Sequence, residues 1–453
     1  MKSIAQIAAE LQGYDPQALP ADAVNAFLAR LVVPVADVER VPVMQALGRV
    51  LAEDVVSTLS VPAHDNSAMD GFAFRGTELV AGQPLVLRSV GTALAGAAWQ
   101  GTVAAGECVK IMTGAVMPAG LDTVVPQEFA RVEGDHITVP AGVVRAGDNR
   151  RKLGEDLMAG QPALLKGERL APAALGLVAS LGMGEVPVLR RLRVAYFSTG
   201  DEILSVGEPP REGAVYDSNR YTVFGMLTQL GCEVIDLGVV KDQPALLEAA
   251  FRHAAACADA IITSGGVSVG EADHTKAMMK KLGDVAFWRI AMRPGRPMAV
   301  GRIAGGVAAE FQAKSGSSPY LAGAASSLND SNQEGGAILF GLPGNPVAVM
   351  VTFIAFVRPA LLRMMGARDE PPVLLRAASE EAVRKKPGRT EYQRGIVTRQ
   401  ADGRLTVRTT GNQGSGVLSS MVQGNGLIVL AHDQGNVAVG DEVSVLMFRG
   451  AFD

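Results

Sequence analysis

Leu192-Arg193-Val194-Ala195-Tyr196-Phe197 runs into Ser198-Thr199-Gly200-Asp201-Glu202, and Ala260-Ile261-Ile262-Thr263 runs into Ser264-Gly265-Gly266-Val267-Ser268-Val269-Gly270-Glu271-Ala272-Asp273. Each is a short apolar run that stops at a polar, glycine-containing loop, the form of a strand covered on both faces. Between them, Asp217 to Leu230 reads as a helix stopped by Gly231, Glu233 to Val240 as a strand and 243–256 as a helix. A helix is expected over 273–282, and strands at Val285 to Met292, Met298 to Gly301 and Ala337 to Gly341. Strands alternating with helices predict a doubly wound parallel α/β sheet.

Outward from this core, the texture changes. Val24, Phe27, Leu28 and Leu31 recur at helical spacing, and Val43, Leu47, Val50 and Leu51 after Pro42 predict a second helix. From Val55 to Gly160, short runs such as Pro84 to Val90 and Glu107 to Met112, broken by Gly and Pro, predict a β-rich module. Past Glu370, Arg394 to Arg399 and Leu405 to Thr409 flank Ala401-Asp402-Gly403 as a hairpin, and Gly426 to Leu430 and Glu442 to Phe448 complete a small β domain. Gly305 to Gly335 has no period and reads as a surface insertion without chemistry. Val347 to Val357 reads as a buried helix, too short for a bilayer and running into Arg358-Pro359.

The whole chain narrows the function. At 453 residues it exceeds one core, so three or four domains are expected. A formal charge of -4 offers no polybasic field, which disfavours nucleic acid and acidic membranes as partners. Cys108, Cys232 and Cys257 show no C-x-x-C spacing, arguing against disulfides or a structural zinc and for a reducing compartment. The first twenty residues carry Glu10 and Asp15 and no apolar core of a signal peptide, so a cytoplasmic location is expected.

In an open α/β sheet, ligands bind beyond the carboxyl ends of the strands. Ser264-Gly265-Gly266 is there either a tight turn or an anion cradle, with Ser264 and Ser268 as extra donors. Arg293 and Arg296 flank a Pro-Gly turn, as solvated arginines or as a clamp for a tetrahedral oxyanion. Asp242 and Asp273 precede helices as N-caps, or join Glu202 to hold a divalent cation such as Mg²⁺ against an anionic ligand. Leu342-Pro343-Gly344-Asn345-Pro346 adds a fifth loop. Asp65 to Ala73, Lys110 to Ala115 and Arg150 to Asp156 are ordinary polar turns by composition. His64 and His274 lack spaced ligand partners, and no nucleophilic triad can be assembled.

Taken in order, Asp65-Asn66-Ser67-Ala68-Met69-Asp70-Gly71, Ile111-Met112-Thr113-Gly114-Ala115, Arg150-Arg151 with Gly154-Glu155-Asp156, Phe197 to Glu202, Tyr216-Asp217-Ser218-Asn219-Arg220, Ser264 to Gly270 and Gly341 to Pro346 form a pattern. With Gly388-Arg389 and Gln393-Arg394-Gly395, this pattern resembles the molybdopterin molybdenumtransferase family of bacterial MoeA and the gephyrin E domain. The resemblance implies a discontinuous helical segment (1–54 and 160–190), a β-rich domain (55–159), a molybdopterin-binding α/β domain (191–369, insertion about 305–335) and a C-terminal β-barrel-like domain (370–453).

It further implies insertion of molybdate into adenylated molybdopterin with release of AMP, dependent on Mg²⁺, in a homodimer whose cleft is shared between subunits. Asp70, Thr113, Asp156, Glu202, Asp242 and Asp273 match the positions implicated in activity, with Mg²⁺ near the last three. Ser264, Gly265, Gly266, Ser268, Arg293, Arg296, Pro343, Gly344 and Asn345 are the implied substrate-binding set. Molybdopterin adenylyltransferase and molybdoenzymes are the expected transient partners.

The chain departs from the family in two places: arginine stands at 293 and 296 where bacterial relatives commonly have lysine, and the 305–335 insertion is longer than usual. Alternatives are a gephyrin-type scaffold without turnover and a molybdopterin adenylyltransferase. The retained acids argue against the first and the full-length match against the second.

Overall fold

A computed structural model describes residues 2–267, 274–305 and 336–451. Expectations that fall on Ser268, Asp273 and most of the 305–335 insertion lie outside the described residues. The chain divides into two compact units, residues 40–47 with 51–188, and the remainder.

The larger unit is built on β1 (Arg193–Thr199), α1 (Ser218–Leu230), β2 (Glu233–Val240), α2 (Pro244–Cys257), β3 (Ala260–Ser264), α3 (His274–Leu282), β4 (Gly283–Arg289), β5 (Pro297–Ile303), β6 (Ala337–Leu342) and α4 (Pro346–Met364). The sheet order is β2-β1-β3-β6-β5-β4. Strand alternation sends Ala195 and Phe197 toward α2, where Phe197 meets Phe251 edge-on at 5.1 Å, and Tyr196 and Ser198 to the opposite face. Helices on both faces bury both, as a doubly wound domain requires.

The sheet is mixed rather than wholly parallel. β2, β1, β3 and β6 are parallel, but β5 runs antiparallel to β6 and to β4. The short link from β4 to β5 cannot hold a parallel crossover, which takes about a dozen residues or more. β4 and β5 therefore form a hairpin whose connection, carrying Arg293 and Arg296, lies at the same sheet edge as the carboxyl ends of the parallel strands.

The helix expected to end at Arg358-Pro359 continues through them to Met364. A π-helical stretch at Phe353–Val357 precedes the proline, which sits in the first turn of the resumed α-helix. Proline lacks an N–H, and a widened turn accommodates the missing bond without ending the helix. By length and composition α4 passes as a membrane span, yet 67% of its apolar window is buried, as in a core helix. The helix Ala21–Leu31 packs on its far end.

A closed five-stranded barrel follows. Thr390–Arg399 pairs with Leu405–Thr409 and also with Gly426–Leu430, and Leu375–Ser379 and Glu442–Met447 complete the ring. The expected hairpin is present, with Arg399 opposite Leu405.

In the smaller unit, Gly71–Phe74, Leu85–Ala93, Glu107–Ile111, Thr123–Pro126, Arg131–Glu133 and His136–Val139 form one sheet. The second helix expected after Pro42 is absent: Val43–Gln45 is a single 3-10 turn. Of its apolar residues, Leu51 joins a non-local core with Val55, Leu164, Leu170, Val178, Val186 and Val188, Val43 packs half-buried against that core, and Leu47 is exposed.

Candidate functional site

The parallel strands end level with one another: Thr199 pairs with Val240, Ser198 with Ser264 and Ser264 with Leu342. Their loops consequently share one rim. After β1, Glu202 is exposed and folds back so that a Cβ on Gly200 would fall 2.6 Å from its Oε2. After β2, Asp242 does not cap α2, whose N-cap is Gln243 without a side-chain bond. The Asp242 carboxylate instead accepts the Thr275 hydroxyl at 3.3 Å. Thr275 lies in the first turn of α3, next in the chain to the segment that carries Asp273.

The glycine turn after β3 has φ of 89° at Gly265 and 64° at Gly266, values that L side chains rarely adopt. Space also forbids a side chain: a Cβ at Gly265 would sit 2.5 Å from the Thr199 carbonyl oxygen, and one at Gly266 2.6 Å from the Thr275 side chain. The Gly265 N–H donates to the Leu342 carbonyl at 3.2 Å, so that amide serves the sheet. Ser264 is buried, its hydroxyl 2.7 Å from Tyr196 Oη and 3.1 Å from Ser198 Oγ.

Arg293 and Arg296 are exposed, and among the described residues neither forms an ion pair. Gly295 (φ 98°) packs against Thr352 of α4 and holds their loop to the domain. Met292–Arg293 also pairs, in parallel, with Thr390 and Glu391 of the barrel. That pairing brings up groups to which sequence reasoning gave no role. Arg394 is buried, donating Nε to Ser420 Oγ at 2.9 Å and Nη2 to the Asn412 and Gly414 carbonyls. Burial, and secondarily Arg293, brings its guanidinium down to about 10. Ser415 accepts the Asn345 side-chain N–H at 2.9 Å, and its carbonyl accepts Val347 N–H. The signal available in the sequence was the word Gln393-Arg394-Gly395 within an otherwise barrel-forming strand.

In the smaller unit, the polar words distant in sequence come together. Arg150–Arg151 pairs with Asn66–Ser67, and Ser67 N–H reaches the Ala115 carbonyl at 3.0 Å. Asp70 Oδ1 accepts both the Thr113 N–H and its hydroxyl at 2.7 Å. The Thr113 N–H, then its hydroxyl, then the Lys110 charge hold the Asp70 carboxyl below the ordinary carboxylate range. Asp156 is exposed in the turn that follows Arg150–Arg151.

Elsewhere in the larger unit, a cavity of about 520 Å³ is lined by Asp22, Asn25, Arg358, Tyr392 and others, with none of the expected site residues among them. Of the thiols, Cys108 is buried and pushed up to about 12 by that burial, which leaves it inert as a nucleophile. His64 and His274 are exposed.

Residues 19–182 match the family described as MoeA N-terminal region (domain I and II), 195–363 the "Probable molybdopterin binding domain" and 376–448 the MoeA C-terminal region (domain IV). A molybdopterin molybdenumtransferase of Haemophilus influenzae is 39% identical over 412 residues, covering 91% of this chain and 94% of the relative. The chain belongs to the molybdopterin molybdenumtransferase family. A second relative of that name, from a Nostoc species, is 35% identical over 416 residues, covering 90% of this chain and 88% of its own. The crystal structure of a molybdopterin biosynthesis MoeA protein from Pyrococcus horikoshii superposes with a TM-score of 0.75 at 26% identity, covering 95% of this chain and all of that one.

As a molybdopterin molybdenumtransferase, the protein is a transferase of molybdenum cofactor biosynthesis. Among the described residues, no three His, Cys, Asp or Glu side chains cluster as a metal cage. Glu202 and Asp242, accessible carboxylates on adjacent strand ends, do fit Mg²⁺, which commonly takes one or two carboxylates, keeps waters and shares substrate phosphates.

Proposed function

We propose that the protein inserts molybdate into adenylated molybdopterin, coupling metal insertion at the dithiolene to cleavage of the pyrophosphate bond and release of AMP. The observation that carries this is the rim itself: accessible acids, two arginines without ion pairs among the described residues and a turn that admits no side chain, all beyond the ends of one sheet. Gly266 and its neighbours lie against the phosphates, Pro343, Gly344 and Asn345 bound the pterin side, and Arg293 and Arg296 orient molybdate by charge. Glu202, Asp242 and Asp273 are the residues that would hold Mg²⁺, which when bound offsets the charge of the pyrophosphate oxygens. The protein's own contribution is positioning and fixed charge.

Asp70, Thr113 and Asp156 complete the cleft from the second subunit of a homodimer, in the cytoplasm, with molybdopterin adenylyltransferase and molybdoenzymes as transient partners. Mixing Asp70→Asn protein with Asp242→Asn protein then restores activity that neither has alone; mixtures as inactive as their components refute the shared cleft. The chemistry itself is tested with purified protein, adenylated molybdopterin, Mg²⁺ and molybdate. The expected result is molybdate-dependent AMP release with active cofactor formed. Adenylation of free molybdopterin without molybdate would overturn the reading.

A further inference from the structure

The buried face of α3 is a stripe of Thr275, Met278, Met279 and Leu282, the spacing of one face of a helix. Its three apolar members join the core that also takes Val240, the last residue of β2, and Val267, which follows the Gly265-Gly266 turn. Thr275 is the polar member of the stripe. It stands at the rim end, in the first turn of the helix, and is only 1% exposed.

This one side chain meets two different rim loops. Its hydroxyl donates to Asp242 Oδ1 at 3.3 Å, in the loop after β2. Its Cβ and Cγ2 fill the space in front of Gly266, in the loop after β3: a Cβ on that glycine would fall 2.6 Å from both atoms and 2.8 Å from Oγ1. An ionised carboxylate can only accept, so the proton of the Asp242 bond belongs to Thr275. Threonine is stiff at χ1 because two heavy atoms branch from Cβ, and packing the methyl group against the turn therefore directs the hydroxyl. Asp242 is half-exposed and does not cap the helix that follows it, so its own helix does not orient its carboxylate. Valine at 275 would keep the packing and lose the bond, and serine would keep the bond and lose the packing.

We propose that Thr275 is a positioning residue of the transfer reaction: it holds the Asp242 carboxylate in register with the Gly265-Gly266 turn, so that the acid facing Mg²⁺ and the loop facing the substrate phosphates keep a fixed separation. The inference rests on the reading of Asp242 as a cation-holding acid and of the turn as a phosphate cradle.

The test is calorimetric binding of adenylated molybdopterin to the full-length protein, without molybdate so that no turnover occurs, over a series of Mg²⁺ concentrations. Thermal unfolding of each variant accompanies it. Thr275→Val is expected to move the Mg²⁺ midpoint upward about fivefold, the worth of one hydrogen bond, with binding in the absence of Mg²⁺ at wild-type strength. Thr275→Ser is expected to weaken binding about threefold at every Mg²⁺ concentration, with the midpoint unmoved. In steady-state cofactor formation the same split follows: added Mg²⁺ restores the valine variant, whereas the serine variant keeps a raised KM.

A wild-type Mg²⁺ midpoint in Thr275→Val overturns the proposal. Equal losses of both quantities in the two variants also overturn it, because that is the behaviour of a side chain that only fills space. Asp242→Asn separates the proposal from the reading beneath it. If Asp242→Asn binds with the wild-type midpoint, the reading of Asp242 falls and the proposal with it; if Asp242→Asn loses the Mg²⁺ response while Thr275→Val keeps it, the proposal alone falls.

Discussion

The α/β rim and the barrel strand beside it treat charge in opposite ways. On the rim, Glu202, Arg293 and Arg296 are exposed and Asp242 half-exposed, accepting the Thr275 hydroxyl. On the barrel, Glu391 and Arg394 are almost wholly buried, Glu391 against Arg389 and Gln393, Arg394 against Ser420 and two carbonyls. Lys385 is buried likewise, with Nζ on the Lys386 and His432 carbonyls. Charge that the fold has already satisfied holds a loop in place, and charge left in water remains available to a ligand. The two regions should therefore fail differently: rim variants lose activity and keep their stability, barrel variants lose stability first.

The largest effect is expected at Asp242→Asn, and equally at Asp273→Asn, with kcat falling about 10²- to 10³-fold and the melting temperature unchanged. A melting temperature that drops with activity in Asp242→Asn would place Asp242 with the barrel charges and break the contrast. Next, Arg394→Met removes a donor from the buried Ser420 hydroxyl and from the half-buried Asn412 and Gly414 carbonyls, and is expected to cost about 2–4 kcal/mol in urea unfolding. Unchanged stability there would break the contrast from the other side.

Thr113→Val gives a smaller, pH-dependent effect that extends the comparison to the other unit. Asp70 is more acidic folded than unfolded because of Thr113, so these bonds favour the folded, ionised form above the ordinary carboxylate pKa. That advantage fades as pH falls through the folded value. Without the hydroxyl the folded pKa rises, and the acid limb of kcat/KM against pH is expected to move to higher pH with the alkaline limb in place. An unmoved acid limb would show that the ionised Asp70 carboxylate is not needed for turnover. The smallest change belongs to Arg293→Lys, about two- to fivefold in the KM for molybdate, because charge persists while the planar fork is lost. A loss as large as that of Asp242→Asn would mean that donor geometry, not charge, decides oxyanion binding.

Much of this was readable in advance where a local signal sufficed. The helix from Ser218 to Leu230 carries its own stop at Gly231, which has φ of 91°, and the Arg399 to Leu405 hairpin carries its own turn. Strand direction was not readable in that way, since an apolar run looks the same in either orientation. The decisive clue for β4 and β5 was the length of the link between them. The Val43 to Leu51 spacing misled because Val43 and Leu51 pack on partners beyond residue 160 while Leu47 is exposed, which no local period can express. For the site, the loops were legible and the directions of their side chains were not. The buried contacts of the Ser264 hydroxyl with Tyr196 and Ser198, for example, come from the register of β1 and β3. Arg394 was visible only as a word in a pattern, because its partners at Asn412, Gly414 and Ser420 arrive through barrel closure.

The pairing of Met292–Arg293 with Thr390 and Glu391 also sets an order of events at the ribosome. Every parallel strand of the α/β sheet, and the Arg293 loop itself, is translated before the strand that buttresses that loop exists. At about 5–20 residues per second, the nascent domain spends several seconds with its sheet available and Met292–Arg293 without its barrel partner. The barrel, in turn, closes only with Glu442–Met447. A product that stops short of Thr390 would thus carry every parallel strand of the α/β sheet and an Arg293 segment without its barrel partner.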